Sequence, residues 1–182
     1  MTHSAGARLE LPSLGLEVLD VVNLRTGARD APTDESLAEP FSALGELQQE
    51  GLVRHLGVSG ASSAQLTEAQ SIAPVVTVQN LYNVAQRGAE PVVEYCDREG
   101  IGFIPWFPMA TGALARNDGP LRRMADELGA TSAQVALAWL LAKSPVILPI
   151  PGTSSVAHLE ENVGAALVSL TPDQVRELDA TK

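Results

Sequence analysis

The sequence predicts an α/β fold with parallel strands, and three observations carry that expectation. Short apolar runs, most of them rich in Val and Ile, alternate with amphipathic stretches. The runs lack clean polar alternation, and hydroxyl-led helix starts and glycine stops fall between them. Parallel strands covered by helices read as near-continuous apolar runs. The strand–helix alternation occurs five times, which in one sheet implies right-handed crossovers.

The five strand segments are VLDVVNL (18–24), VRHLGVS (53–59), PVVTVQN (74–80), IGFIPW (101–106) and PVILPI (145–150). Helices are expected over 34–51, 62–73, 90–100, 121–129, 132–143, 155–166 and 171–180. In the first, Leu37, Phe41, Leu44 and Leu47 recur near helical spacing. Ser62 with Gln65, Thr131 with Gln134 and Thr171 with Gln174 fit the capping box, where hydroxyl and amide satisfy open backbone N–H groups. Pro172 suits a first helical position, and Gly51, Gly100 and Gly129 stand where helices should stop. Loops are expected at 27–33 and 111–120, each after a strand, on the face that usually carries function.

The 182 residues suffice for one good core, and 45% are hydrophobic, so the chain is not of the disordered class. Only seven residues are aromatic, so small aliphatics must fill the interior. The net charge of −10 argues against nucleic acid as a partner, because phosphate contacts need Lys and Arg in excess. The single cysteine, Cys96, excludes an intrachain disulfide and makes a reducing, cytoplasmic location the default. Its place mid-helix in VVEYCDREG reads as burial as a small hydrophobe. No apolar run reaches the ~18 residues of a membrane span, and the first residues lack a signal-peptide core. His3, His55 and His158 lie far apart without a second ligand at metal spacing, so no metal is expected. The fingerprints GxGxxG and GxxxxGK[ST] are absent, which counts against the nucleotide-binding open sheets.

The most informative stretch is LPIPGTSSVAHLEEN (148–162), a buried strand ending in Pro-Gly-Thr-Ser-Ser that opens a helix. Open N–H groups and the helix dipole make such a start an anion site, with Thr153, Ser154 and Ser155 as hydroxyl donors. Local chemistry leaves an ordinary hydroxyl-capped helix equally open.

Six blocks in order carry a resemblance: LGLEVLD (14–20), ALGELQQEGLVRHLGVS (43–59), VVTVQNLYNVAQR (75–87), IGFIPWFPMATGAL (101–114), residues 131–165 and LTPDQVRELD (170–179). The chain resembles the aldo-keto reductases from about residue 14 onward. The resemblance implies an incomplete (β/α)8 TIM-type barrel of about five parallel strands over 14–182, with 1–13 as an N-terminal extension. It implies an oxidoreductase that uses NADP(H), or else NAD(H), to reduce a small aldehyde or ketone. The branch resemblance points to a pyridoxal-like aldehyde.

Carried over by position, Ser59 and Gln79 match the pair that contacts the nicotinamide carboxamide. Trp106 matches the aromatic stacked on the nicotinamide, and Pro108 to Gly112 match the pyrophosphate-side loop. Thr153 matches a hydroxyl near the 2′-phosphate, with Ser154 beside it, and Glu161 and Asn162 match the pair on adenine. Three positions depart from the family: Gly60 stands for a frequent asparagine, Gly152 for a lysine and His158 for an arginine. The positive clamp on a 2′-phosphate is therefore thin.

The family's catalytic histidine position falls on Arg25, which can donate hydrogen bonds to a substrate but cannot act as a base near neutral pH. The family's Asp, Tyr and Lys come from three earlier strand–helix units, and only about 17 residues precede the first strand here. Tyr82 and Tyr95 align elsewhere. The 182 residues alone are thus expected to be inactive. The alternatives are a non-catalytic nucleotide-binding remnant and a fragment that oligomerises through open sheet edges.

Overall fold

The computed structural model describes residues 15–26, 33, 35–109 and 119–180. Four strands, β1 (Leu19–Arg25), β2 (Val53–Ser59), β3 (Val75–Leu81) and β4 (Gly102–Trp106), follow in sheet order β1-β2-β3-β4. The helices are α1 (Ala38–Gln49), α2 (Ser63–Ile72), α3 (Glu90–Glu99), α4 (Pro120–Leu128), α5 (Ser132–Lys143), α6 (Val156–Gly164) and α7 (Pro172–Asp179), with a 3-10 turn at Ala165–Leu167. The three capping boxes form at the starts of α2, α5 and α7. Gly51, Gly100 and Gly129 take φ of 77°, 67° and 63° at the helix ends.

One expected strand is missing. Residues 145–150 make a single parallel bridge, Ile147 to Phe103, with Phe103 N–H bonded to Val146 and Leu148 N–H bonded to Phe103. Pro145, Pro149 and Pro151 have no N–H to give, so the ladder stops after one rung. Helix α1 also starts four residues later than its apolar spacing suggested. Its first turn is closed by Glu68 of α2, which accepts from Leu37 N–H at 2.7 Å and from the Ser36 hydroxyl at 2.6 Å. These bonds, the serine's foremost, hold the Glu68 carboxyl below its ordinary value.

The chain divides into two compact units, Met1–Asn80 with Arg98–Gly102, and Leu81–Asp97 with Phe103–Lys182. In the first, Leu56, Val58, Leu66, Val78 and Phe41 are fully buried. The other side of the sheet is tied by polar groups. Asn23, Gly57 and Thr77 are register partners on β1, β2 and β3. The Thr77 hydroxyl donates to Asn23 Oδ1 at 2.7 Å, over the top of Gly57. A Cβ on Gly57 would sit 1.8 Å from Asn23 Oδ1 and 2.2 Å from Thr77 Oγ1, so only glycine lets the two flanking side chains meet.

In the second unit, Trp139 is fully buried, stacked on Tyr82 at 5.5 Å, and Tyr82 meets Phe103 edge-on at 5.8 Å. Asp179, at the end of α7, gathers a polar hub beside these rings. Its carboxylate accepts from Trp139 Nε1 at 2.9 Å and lies 3.4 Å from both Arg87 and Lys143, while its carbonyl accepts from Arg87 at 2.5 Å. Lys143 also pairs with Glu90 at 2.7 Å, and Glu90 accepts from the Tyr82 hydroxyl at 2.5 Å. Cys96 is buried, as expected, and burial pushes its thiol up to about 12. Helix α6 buries none of its residues, and Val156, Leu159, Val163 and Leu167 beyond it are exposed. Among the described residues no helix is long and apolar enough to cross a membrane.

Two outcomes follow from this packing. Gly57→Ala is expected to cost about 3 kcal/mol in urea denaturation, because overpacking forces Asn23 and Thr77 apart. Burial, then the Glu90 contact, raises the pKa of Tyr82 above its ordinary value, so the folded chain keeps a proton that the unfolded chain loses above pH ~10. Stability is therefore intact below that pH and falls above it, by up to about 1.4 kcal/mol per pH unit from this group. Urea midpoints measured from pH 8 to 11 should fall less steeply for Tyr82→Phe.

Candidate functional site

In the first unit the candidate residues stand at strand ends. Arg25, Ser59 and Gln79 are register partners, one row further along than Asn23, Gly57 and Thr77 and on the same face. A register shift on β3 decides this. Leu56 opposes Val75 but Gly57 opposes Thr77, so Val76 is the extra residue and Gln79 comes level with Ser59. Ser59 is buried, Gln79 half-buried and Arg25 exposed. Arg25 and Thr26 line a pocket of about 110 Å³ with Thr33, Glu35 and Ser36, and among the described residues the buried Thr33 hydroxyl has no partner.

The turn after β2 is held by two buried residues that the sequence reading did not single out. Thr26 N–H donates to the Ser59 carbonyl at 2.8 Å, and the Thr26 hydroxyl donates to the Gly60 carbonyl at 2.6 Å. Asn80 Oδ1 accepts from Gly60 N–H at 2.9 Å and Ala61 N–H at 3.1 Å, and its Nδ2 donates to the Ala61 carbonyl at 2.8 Å. Gly60 has φ of 73°, a region open to glycine and, next most readily, to asparagine, which accounts for the exchange at this position. The signal for both residues was present: a hydroxyl and an amide at the ends of the two strands that flank β2.

In the second unit, Trp106 ends β4, half-buried and stacked on Phe107 at 6.1 Å. Phe107 has φ of 50°, the one non-glycine residue with positive φ among those described. A bulky residue held there marks a strained corner of the kind found at functional sites. Buried Asn83 holds it, donating from Nδ2 to the Phe107 carbonyl at 3.0 Å while its Oδ1 accepts from Ala85 and Gln86 N–H, each at 2.9 Å. Pro108 follows directly, and Gly112 lies outside the described residues.

The stretch 152–162 forms a pocket of about 220 Å³ lined by Met109, Ala133, Gly152, Thr153, His158, Glu161 and Asn162. Ser155, not Ser154, caps α6: its hydroxyl accepts from His158 N–H at 3.4 Å, and its own N–H bonds Thr153 Oγ1 at 3.1 Å. Ser154 is exposed between them. Glu161 has a structural task, since its carboxylate accepts from Thr131 Oγ1 at 2.5 Å and its carbonyl from Gln134 Nε2 at 3.0 Å, tying α6 to the cap of α5. Asn162 Nδ2 is buried without a partner among the described residues. A Cβ on Gly152 would meet nothing within 4 Å, so there is room beside it. An unpaired amide donor, a hydroxyl and an open glycine suit the acceptor-rich adenosine end of a dinucleotide; among the described residues no Lys or Arg lines the pocket.

Parallel strands with flanking helices, and a pocket at the opening of a late helix, are the arrangement of part of an α/β barrel. The Aldo/keto reductase family pattern matches residues 7–182, and the chain belongs to that family. It is 46% identical over 171 residues to pyridoxine 4-dehydrogenase of Escherichia coli K12, covering 93% of this chain and 59% of that protein. It is 42% identical to an uncharacterised oxidoreductase of Schizosaccharomyces pombe, covering 94% of this chain and 55% of that one. A thermostable aldo-keto reductase solved with the inhibitor epalrestat superposes with a TM-score of 0.81 at 30% identity, over 96% of this chain and 64% of its own. An aldo/keto reductase of Klebsiella pneumoniae solved with NADP and acetate gives 0.81 at 26%, over 97% and 65%. The chain therefore spans between 55% and 65% of the length of these relatives.

Asn83→Ala strips the strained corner of its support and leaves Ala85 N–H without its acceptor, while Gln86 N–H keeps the Asn83 backbone carbonyl. It is expected to cost about 2 kcal/mol or more in urea denaturation, and to weaken the near-ultraviolet dichroism of the Trp106–Phe107 stack.

Proposed function

We propose that this chain binds NADP(H), with NAD(H) as close competitor, as the cofactor-holding part of an oxidoreductase acting on a small aldehyde or ketone. The observation that carries this is the unpaired Asn162 amide in the wall of the 152–162 pocket. In this reading Asn162 donates to adenine, Thr153 and His158 take the ribose-side phosphate, and Ser154 stands beside them. Glu161 fixes the frame of α6 and contacts adenine through what its bond to Thr131 leaves over. Ser59 and Gln79 take the nicotinamide carboxamide, Trp106 stacks on the ring, and Pro108 and Gly112 flank the pyrophosphate. A bound reduced nicotinamide would supply the hydride for the carbonyl carbon, and Arg25 would orient the carbonyl oxygen or an anionic group of the substrate.

The relative named pyridoxine 4-dehydrogenase supports a pyridoxal-like aldehyde as substrate. Completing the reduction requires a proton on the carbonyl oxygen. Tyr82 is not its source: it is fully buried, and its proton is held by desolvation and by Glu90. We therefore expect the purified 182 residues to bind cofactor without turning over an aldehyde. NADPH should give saturable quenching of tryptophan fluorescence, weakened at least about tenfold by Asn162→Leu, which removes the amide donor. With pyridoxal added, absorbance at 340 nm should not fall. A folded chain that shows no saturable quenching would overturn the cofactor reading; a falling absorbance would overturn the expected lack of turnover.

A further inference from the structure

We infer that Thr26 and Asn80 are positioning residues, which act through Ser59 to set the nicotinamide end of the site. This rests on the reading of Ser59 as a carboxamide contact. Three facts support it. Thr26 and Asn80 are each 4% exposed, and neither carries an apolar load that would explain burial of a polar side chain. Between them they engage five backbone groups of one three-residue turn: the carbonyls of Ser59, Gly60 and Ala61, and the N–H groups of Gly60 and Ala61. Gly60 N–H is shared with the Gln79 carbonyl at 2.9 Å, so the same clamp joins both expected carboxamide partners.

The reason for such a clamp is geometric. At Gly60 the chain turns to positive φ and leaves the sheet; Gly60 N–H still meets the Gln79 carbonyl, but the Gly60 carbonyl and both backbone groups of Ala61 are met by Thr26 and Asn80 side chains. Asn80 stands in for the lost strand, its amide offering one acceptor oxygen and one donor to the departing chain. Thr26 does the same from β1. With its backbone fixed on both sides, the buried Ser59 side chain has little angular freedom. A hydroxyl that must meet a planar carboxamide gains from that, because ordering has been done before binding. A clamp serving only the fold would be indifferent to whether the ligand carries a nicotinamide.

The experiment compares two ligands on each chain: NADP⁺, and adenosine 2′,5′-bisphosphate, which lacks the nicotinamide. Binding is read by calorimetry on the 182-residue protein and on Thr26→Val, Thr26→Ser and Asn80→Ala. Thr26→Val keeps the shape and removes the hydroxyl, so it carries the test if Asn80→Ala does not fold. The expected result is about tenfold weaker NADP⁺ binding in Thr26→Val, near-original binding in Thr26→Ser, and unchanged affinity for the bisphosphate in every folded variant. Equal weakening for both ligands, or none for NADP⁺, overturns the positioning role. Should the unmodified protein bind both ligands equally, the carboxamide contact itself falls and this inference with it. Binding of neither ligand overturns the cofactor reading from which both descend.

Discussion

The glycine at position 57 is the constraint on which the candidate residues of the first unit depend. Without a Cβ there, Asn23 and Thr77 meet across β2 and lock β1 to β3. That bond is possible because β3 slips by one residue, so that Thr77 and not Val76 stands opposite Gly57. The slip has a second effect two residues on, where it brings Gln79 level with Ser59 and Arg25. A side-chain period of two means that a strand without the slip would present Val78 and Asn80 on that face instead. One missing methyl group and one extra residue thus decide which polar groups share the row.

The second unit solves a different problem, that of placing charge near an aromatic interior. Four ionisable side chains, Arg87, Glu90, Lys143 and Asp179, gather beside Tyr82 and Trp139. Burying any one alone would be costly, but here each meets an opposite charge and the ring polar atoms fill the remaining valences. Lys143 illustrates the balance: desolvation alone would lower its basicity, yet Glu90 and Asp179 together raise it above the ordinary value. The hub also explains why α7, a short helix with a single buried side chain, Leu178, stays docked.

Much of this was legible in the sequence. Helix starts were readable because the capping box is a local device: hydroxyl, spacing and amide all lie within four residues. The candidate residues of 148–162 were readable because the family blocks surrounding them are dense. The missing fifth strand was legible in principle, since three prolines in seven residues cannot feed a ladder, but the apolar composition of PVILPI masked it. Non-local features were not legible. The β3 slip, the Glu68 closure of α1 and the Asn80 clamp all depend on partners 19 or more residues away. Phe107 falls in the same class: its strain is maintained by Asn83, 24 residues earlier, and no local pattern announces it.

The pocket at 152–162 also bears on which cofactor the site prefers. A 2′-phosphate brings up to two negative charges and is ordinarily met by Arg or Lys, whose charge does not depend on pH near neutrality. Among the described residues the lining offers His158 as its one basic side chain, with the Glu161 carboxylate in the same wall. Thr131 occupies part of that carboxylate, but a hydrogen bond does not remove its charge. What remains for an anion is hydroxyl and backbone donation near the α6 start, which is electrically milder and serves a ribose hydroxyl nearly as well as a phosphate. If the pocket takes the adenosine end as proposed, such neutral donors would give little leverage to distinguish the two dinucleotides. A single basic side chain in place of Gly152, where a Cβ meets nothing within 4 Å, would tilt the balance toward the phosphorylated form without disturbing a packed neighbour.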